Sequence, residues 1–464
     1  NMINVRRLTV MTFLGASMLS GISAQVSPLQ VDTLKETKIP DQWDLQSCID
    51  YAKEQNITIR KNRITAASTQ IDVKTAKAAL FPSLSFSTGQ QVVNRPYQET
   101  SSRVSGSEII SSNSKTSYNG NYGLNASWTL YNGNKRLKTI QQEKLNNQMA
   151  ELDVATSENN IQESIAQVYI QILYAAESVK VNENTLQVSI AQRDRGQELL
   201  NAGSIAKSDL AQLEAQVSTD RYQLVTAQAT LEDYKLQLKQ LLELDGENEM
   251  NIYLPALSDE NVLAPLPTKR DVYISALSFR PEIEASKLNV EASELGINIA
   301  KSSYFPTISL SAGIGTNHTS GSDFTFGEQV KNGWNNSIGL SVSVPIFNNR
   351  QTKSAVQKAK LQYETSMLSL LDEQKALYKT IESLWLDANS AQQRYAAANE
   401  KLKSTQISYE LISEQFNLGM KNTVELLTEK NNLLQAQQEQ LQAKYMAILN
   451  TQLLKFYQGD QLAI

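Results

Sequence analysis

The segment Ala76–Gly89, AKAALFPSLSFSTG, returns about 220 residues later as Ala300–Gly313, AKSSYFPTISLSAG. About half of the positions match in register, around a Phe-Pro pair in each copy. Apolar residues have helical spacing before each proline and strand spacing after it. Because a fixed-offset repeat indicates two copies of one structural unit, we expect each copy to contain a helix, a strand pair and very long helices.

The composition argues against several globular domains and against a membrane-spanning helix. Hydrophobic residues make up 41% of the 464 residues, and the mean hydropathy is −0.36. Glycine and proline are sparse, at 19 and 10. Outside the N-terminus the sequence has no apolar run of the roughly 18 or more residues that a membrane-spanning helix needs. The prediction is therefore a chain without a transmembrane helix.

The N-terminal residues have the pattern of a secretory signal. Residues 2–24 combine a basic start, an apolar stretch and a small-residue cleavage motif, and the polar residues 25–40 are predicted to form a linker. A short buried helix is the alternative. The net charge of −5 becomes −7 when Arg6 and Arg7 are removed, which argues against nucleic-acid binding. Cys48 is the single cysteine, so no disulfide is possible; a buried helix residue is favoured there over a lipid attachment site.

Four segments alternate apolar and polar residues with the period of β-strands. They lie at about 82–93, 118–131, 306–316 and 336–347, two after each Phe-Pro pair. In the fourth segment one parity is apolar throughout: Ile338, Leu340, Val342, Val344 and Ile346. Each segment has about ten residues, which is enough for one tilted membrane crossing by a strand.

Strands with one apolar and one polar face admit two interpretations. In a soluble sandwich the apolar face covers a core, whereas in an outer-membrane barrel it faces lipid and the polar face lines water. Four strands cannot close a barrel, because the smallest bacterial barrels use eight. An open sheet edge in lipid would leave N–H and C=O groups without partners. If the strands span a membrane, several chains must therefore share one barrel.

The helical segments are unusually long. Residues 134–195 and 350–418 contain neither glycine nor proline, and a helix of that length reaches roughly 100 Å. A heptad row runs along the second segment: Val356, Tyr363, Leu370, Leu377, Leu384 and Ala391. This seam, with much uncharged polar surface opposite, is compatible with the wall of a water-filled tube or with a solvated coiled coil. The strands favour the tube.

Each long helical segment is interrupted once, at matching places. The interruptions are 201–210, NAGSIAKSDL, and 417–426, NLGMKNTVEL. Both have Asn, then Gly two residues later, then an acid six residues after the Gly. Glycine suits a left-handed helix C-cap, and Ser, Thr or Asn can cap the next helix. We therefore expect two helical hairpins with tight tips far from the strands.

Taken in order, these motifs resemble the TolC family of outer-membrane efflux and secretion channels. Trp43–Ala52, WDLQSCIDYA, resembles the opening helix of the family, and Arg280–Ile283, RPEI, resembles the start of its second repeat. The Phe-Pro pairs, the two tips and Leu454–Gly459, LKFYQG, are also similar to family features. The resemblance covers roughly residues 41–460.

The resemblance implies a mostly α fold with a β-barrel part. Residues 41–242 would form repeat 1, 243–271 an equatorial segment between the repeats, 272–458 repeat 2 and 459–464 a C-terminal tail. A homotrimer would share a twelve-stranded barrel in the cell outer membrane, in contact with its lipid, on an α-helical barrel that extends into the periplasm. It would be the exit duct of a tripartite efflux or type I secretion system. Its partners would be a periplasmic adaptor, or membrane fusion protein, and an inner-membrane pump of the RND, ABC or MFS class.

The resemblance also assigns roles at the hairpin tips. The adaptor-contact positions are Ala202, Gly203, Ser204, Leu418, Gly419 and Met420. The gate positions are Asp209, Lys421, Glu425 and Thr428. Glu425 falls on an acid that lines the entrance in relatives, and Thr428 stands where they carry a second acid. Lys421 falls where relatives carry an arginine, so it is either the partner of Asp209 in a latch or a solvated lysine.

The sequence argues against catalysis and cofactors. His318 is the single histidine and lies in a Thr/Ser/Gly-rich stretch, so histidine-based acid–base chemistry and metal ligation have almost no material. No phosphate-binding or dinucleotide-binding glycine motif occurs. Two alternatives without a pore remain, a periplasmic coiled-coil adaptor and a structural coiled coil. The adaptor would have one hairpin between β-rich modules, and neither alternative needs four strands of membrane length.

Overall fold

The computed structural model describes residues 39–97, 101–105, 108–112, 115–246, 249–258, 262–320, 322 and 324–463. The predicted signal peptide, and all but two residues of the predicted linker, lie outside these ranges.

The chain is mostly helical, with a few strands at one end of the chain's long helices. The helices are α1 (Leu45–Gln55), α2 (Ile57–Ala78), α3 (Lys135–Asn201), α4 (Lys207–Leu241), α5 (Lys269–Phe279), α6 (Pro281–Ser302), α7 (Phe326–Asn332), α8 (Gln351–Asn417) and α9 (Thr423–Gln458). The strands are β1 (Ser83–Asn94), β2 (Ser101–Ser105), β3 (Glu108–Ser112), β4 (Thr116–Asn132), β5 (Thr307–Thr319) and β6 (Asn335–Ser343). None of the described helices has the length and apolar character required to cross a bilayer.

Four strands form one antiparallel sheet in the order β1-β4-β5-β6. The register places the alternating apolar residues of all four strands on the same face of the sheet. Phe86 lies opposite Leu124, Leu124 opposite Ile314, and Ala312 opposite Ile338. Within the described residues this face is bare, since Ile338 is 79% and Leu340 64% exposed. Within the described part of the chain this face therefore covers no core, unlike the apolar face of a soluble sandwich.

The polar stretches between paired strands contain structure that the periodicity does not reveal. β2 and β3 form a separate antiparallel hairpin between β1 and β4. The short helix α7 lies between β5 and β6, and its capping box joins Thr325 and Glu328. β6 ends at Ser343, four residues before the predicted end at 347. The strand ends early because Pro345 has no backbone N–H to donate to a neighbouring strand.

Long helices continue from both strand pairs and pack side by side. In the half nearest the sheet the order of contacts is α2, α3, α6 and α8. Polar bonds join the neighbours: Thr69 to Asn147, Gln142 to the Ala292 carbonyl, and Ser293 to Ser366. α3 and α8 each have 67 residues, and at the usual helical rise each is about 100 Å long. Helices α2 and α8 form the two edges of this layer.

The main hydrophobic core lies midway along the long helices. Trp43 is 1% exposed, and its backbone N–H donates to the Asn251 carbonyl at 2.8 Å. This bond joins the start of repeat 1 to the segment between the repeats. The Tyr169 hydroxyl donates to the Tyr253 carbonyl at 2.6 Å. Cys48 is fully buried in the same cluster, and burial raises the pKa of its thiol to about 12. The structure thus places Cys48 as a core residue, the favoured sequence interpretation.

Two left-handed glycines offer a matched test of backbone strain. Gly133 at the β4–α3 junction and Gly203 have φ values of +67° and +71°. An added Cβ at Gly133 would lie 2.6 Å from the Ser302 carbonyl oxygen, whereas at Gly203 it would meet nothing within 4 Å. Gly203→Ala should cost only the left-handed strain of about 1–2 kcal/mol. Gly133→Ala should cost about 1–3 kcal/mol more from overpacking. Thermal unfolding in detergent measures both; equal losses would show that the junction relaxes.

Candidate functional site

The two hairpin tips share one backbone motif. At the first tip the Ser204 N–H donates to the Leu199 carbonyl at 2.8 Å and the Gly203 N–H donates to the Leu200 carbonyl at 2.9 Å. At the second tip Met420 and Gly419 donate in the same way to Gln415 and Phe416. This pair of bonds is the Schellman C-cap, which needs a left-handed residue. Gly203 and Gly419 supply it with φ values of +71° and +74°.

The acids six residues after these glycines have a local structural role. Asp209 accepts the Ala206 N–H at 3.0 Å, and Glu425 accepts the Asn422 N–H at 3.2 Å. At the second tip these bonds form a complete capping box at the start of α9, because Asn422 Oδ1 also accepts the Glu425 N–H at 2.9 Å. At the first tip only the bond from the Ala206 N–H to the Asp209 side chain forms, because alanine has no side-chain acceptor for the reciprocal bond of the capping box. The spacing from Gly to acid is therefore explained by helix capping.

Lys421 and Glu425 form an ion pair within the chain. Lys421 Nζ lies 2.6 Å from Glu425 Oε1, with 32% and 40% of the two side chains exposed. The hydrogen bond from Lys421, and then that from the Asn422 N–H, lower the pKa of Glu425. Within the described residues no bond joins Lys421 to Asp209, so the structure brings together Lys421 and Glu425 instead. The Lys421–Asp209 latch stays a prediction, and Lys421 is not simply solvated.

The remaining predicted tip residues lie on the surface. Leu418 and Met420 are each 70% exposed, and Ala202, Gly203, Ser204 and Gly419 are exposed as well. The exposed Thr428 donates its hydroxyl to the Val424 carbonyl at 2.8 Å, one turn earlier in α9. The second tip thus exposes two apolar side chains, those of Leu418 and Met420.

Two buried charged clusters escaped the sequence analysis. Arg280, 3% exposed, pairs with Glu163 and Glu282, and its guanidinium carbon lies 4.1 Å from the Tyr457 ring centre. Lys430, 4% exposed, pairs with Asp220 near the tips. The contacts Arg280–Glu163 and Lys430–Asp220 have no local sequence signal, because the partners are more than 100 residues apart. In the described part of the chain no group of His, Cys, Asp or Glu side chains could hold a metal ion.

Outer-membrane proteins are among the known proteins with similar sequences. The outer membrane efflux protein BepC of Brucella suis biovar 1 (strain 1330) is 24% identical over 63% of this chain and 61% of its own length. The outer membrane protein TolC of Escherichia coli (strain K12) is 24% identical over 61% of this chain and 58% of its own. The chain thus spans about three fifths of these curated relatives. A solved structure of CusC has a TM-score of 0.77 at 18% identity and covers 90% of this chain and 92% of that one.

A four-stranded sheet joined to two long helical hairpins is the fold that the chain shares with the CusC structure. The family model for outer membrane efflux proteins matches residues 48–243 and 272–459. The chain belongs to the outer membrane efflux protein family. The predicted resemblance and the predicted location in the outer membrane are thereby confirmed.

Proposed function

We propose that the chain is one subunit of a homotrimeric outer-membrane channel that serves as the exit duct of a tripartite efflux or type I secretion system. The observation that carries this proposal is the sheet order β1-β4-β5-β6, in which β1 and β6 each have one unpaired edge. A head-to-tail ring of identical chains pairs β6 of one with β1 of the next and removes every edge. Three chains give twelve strands.

The bare apolar face is the surface that would contact outer-membrane lipid. Aromatic residues flank it at both ends, as at the interfaces of membrane barrels. At one end they are Tyr118, Tyr122, Phe326 and Trp334, and at the other Phe81, Trp128, Tyr304, Phe305 and Phe347. The opposite face carries mainly Ser, Asn, Gly and Thr, which suits a water-filled interior.

The two edge helices of the layer, α2 and α8, also expose apolar residues, as the sheet does. On α2, Ile57, Ile64 and Ile71 recur every seven residues and are 49%, 67% and 44% exposed. On α8, Leu361 and Leu368 are also seven apart and 61% and 66% exposed. Such heptad stripes pack against one another in left-handed helical assemblies. Pairing α8 of one chain with α2 of the next would continue the barrel as a helical tunnel.

The tips would form the gated entrance and the docking surface. Three copies of Glu425 would surround the entrance, each accompanied by its own Lys421. The exposed residues Leu418 and Met420, with the first tip at Ala202–Ser204, would contact a periplasmic adaptor that connects to an inner-membrane pump of the RND, ABC or MFS class. Asp209 and Thr428 would lie beside the constriction, and an interchain latch from Lys421 to Asp209 belongs to the same proposal.

The mass of the protein extracted from outer membranes in mild detergent, corrected for bound detergent, tests the shared barrel. A trimer with stepwise conductance in planar bilayers is the expected result. A monomer that stays folded and soluble without detergent would contradict it, because four strands cannot close alone.

At the entrance, charge changes should alter ion selectivity. Lys421→Met is expected to raise the cation preference of the pore about twofold, because it frees three Glu425 carboxylates from their partners. Glu425→Gln should lower it by a similar factor. Thermal stability should change little, since exposed pairs contribute about 0–1 kcal/mol. Reversal potentials in a salt gradient measure the preference.

Lys403→Met serves as the control for these variants. Lys403 pairs with Glu400 at 3.1 Å on α8, away from the tips, with both side chains exposed. If the tip variants match this control in ion preference, Glu425 does not line the entrance.

A further inference from the structure

A buried charged cluster joins the two hairpins near their tips. Lys430 on α9 donates to both Ser189 on α3 and Asp220 on α4, and the Ser189 hydroxyl also donates to Asp220. The Lys430 and Asp220 side chains are only 4% and 2% exposed. We call Ser189, Asp220 and Lys430 the hairpin lock.

The lock lies close to the entrance. Lys430 is seven residues beyond the first residue of α9, which corresponds to about 10 Å along the helix. Gln216 supports it by donating to Asp220 Oδ1 at 2.8 Å and to Asn431 at 3.4 Å. The main apolar core, by contrast, reaches along α9 only to Leu441. Other buried apolar residues, among them Leu186, Val217 and Leu433, continue toward the tips, and the hairpin lock adds a buried ion pair between the hairpins there.

A buried ion pair fixes relative position more strictly than apolar packing does. If α9 slid by one turn along α3 and α4, Lys430 and Asp220 would both be buried without a partner, which is strongly unfavourable. A buried polar group can in this way set the register of packed helices. Burial lowers the pKa of Lys430, and Asp220 partly offsets that effect.

There is space beside the lock for a second arrangement. A cavity of about 110 Å³ lies between α3, α8 and α9, and Val188, Tyr409, Lys430 and Leu433 are among its lining residues. This space borders the Lys430 side chain and would be available to it if the ion pair separated.

We propose that the hairpin lock fixes the register of the two hairpins at the tip end and so holds the channel entrance in one conformation. The inference rests on the proposed channel function and concerns regulation of the same entrance. Opening would separate Lys430 from Asp220 as the second hairpin moves past the first. The residues differ from the predicted gate positions: Lys430 lies two residues beyond Thr428 on α9, and Asp220 lies eleven residues beyond Asp209 on α4.

Single-channel recording on the full-length trimer tests the lock. Lys430→Met and Asp220→Asn remove one charge each while nearly preserving shape. Each is expected to change the ratio of open to closed time by about tenfold or more. Lys401→Met is the matched control, because Lys401 pairs with Glu439 at 2.7 Å within the second hairpin and is exposed. It should gate as the wild type does.

The double variant Lys430→Met/Asp220→Leu distinguishes a role of the ion pair in gating from a role in folding. An apolar replacement of a buried ion pair often keeps stability. The lock predicts a double variant that forms trimers but has lost the wild-type gating ratio. Wild-type gating in trimeric single or double variants would overturn the proposal. So would failure of the double variant to form trimers, because the pair would then be required for folding. If the wild-type protein itself does not conduct, the proposed channel function fails instead.

Discussion

Leu340→Arg is expected to abolish accumulation of the protein as a trimer in the outer membrane. Leu340 lies in the middle of β6, opposite Leu310, on the bare apolar face, and is 64% exposed. An arginine facing the centre of a bilayer costs about 2–4 kcal/mol for each copy. A ring of three chains carries that cost three times. Immunoblotting of the outer-membrane fraction, with and without boiling, measures the trimer.

Ser341→Arg provides the control for this substitution. Ser341 is the next residue of β6, lies on the opposite face and pairs in register with Ser309. It should still assemble and should change conductance, because its side chain would enter the water-filled interior. Normal assembly of Leu340→Arg, or equal loss of both variants, would contradict the assignment of the apolar face to lipid.

Arg280→Met is expected to destabilise each chain by about 3 kcal/mol, because it leaves the partly buried carboxylates of Glu163 and Glu282 without their cation. Arg280 Nε lies 2.7 Å from Glu282, and Arg280 Nη1 lies 3.3 Å from Glu163. Burial already raises the pKa of Glu163, and Arg280 opposes that rise. Removing Arg280 should therefore raise this pKa further.

The sign of the pH dependence follows from that raised pKa. A carboxyl whose folded pKa lies above its unfolded value favours folding below the unfolded value and loses that stability as pH rises through the folded value. The defect of Arg280→Met should thus be large at pH 7 and partly relieved near pH 4. Thermal unfolding at both pH values measures it. Lys287→Met, which breaks the exposed pair of Lys287 with Glu284, should change stability by less than about 1 kcal/mol at either pH. A pH-independent defect in Arg280→Met would exclude Glu163 as its cause.

Local signals in the sequence accounted for much of the architecture. Alternating residues such as Ile338 and Leu340 and the proline after each helix determine where strands begin. Gly203 and Gly419 end the long helices, because only a left-handed residue suits that cap. β2, β3 and α7 were not expected, since their surroundings are rich in Ser and Gly. The Thr325-x-x-Glu328 capping box was nevertheless a readable sign of α7.

The candidate site was less accessible to sequence reasoning. The family resemblance located Asp209 and Glu425, but their capping bonds depend on backbone geometry. The choice of Glu425 as the partner of Lys421 also required coordinates, although their spacing of four residues is that of neighbours on a helix. The pairs Arg280–Glu163 and Lys430–Asp220 join residues that are 117 and 210 positions apart, and nothing local indicates such contacts.

The two unpaired strand edges also have a consequence for biogenesis. A newly exported chain presents free N–H and C=O groups on β1 and β6, next to a bare apolar surface. Such edges recruit any available strand, so correct partner capture competes kinetically with misregistered pairing and aggregation. In the proposed trimer, capture would require the encounter of separate chains, and its rate would therefore depend on how many subunits are present at once. The sheet that would build the barrel would thus also make maturation dependent on the rate of synthesis.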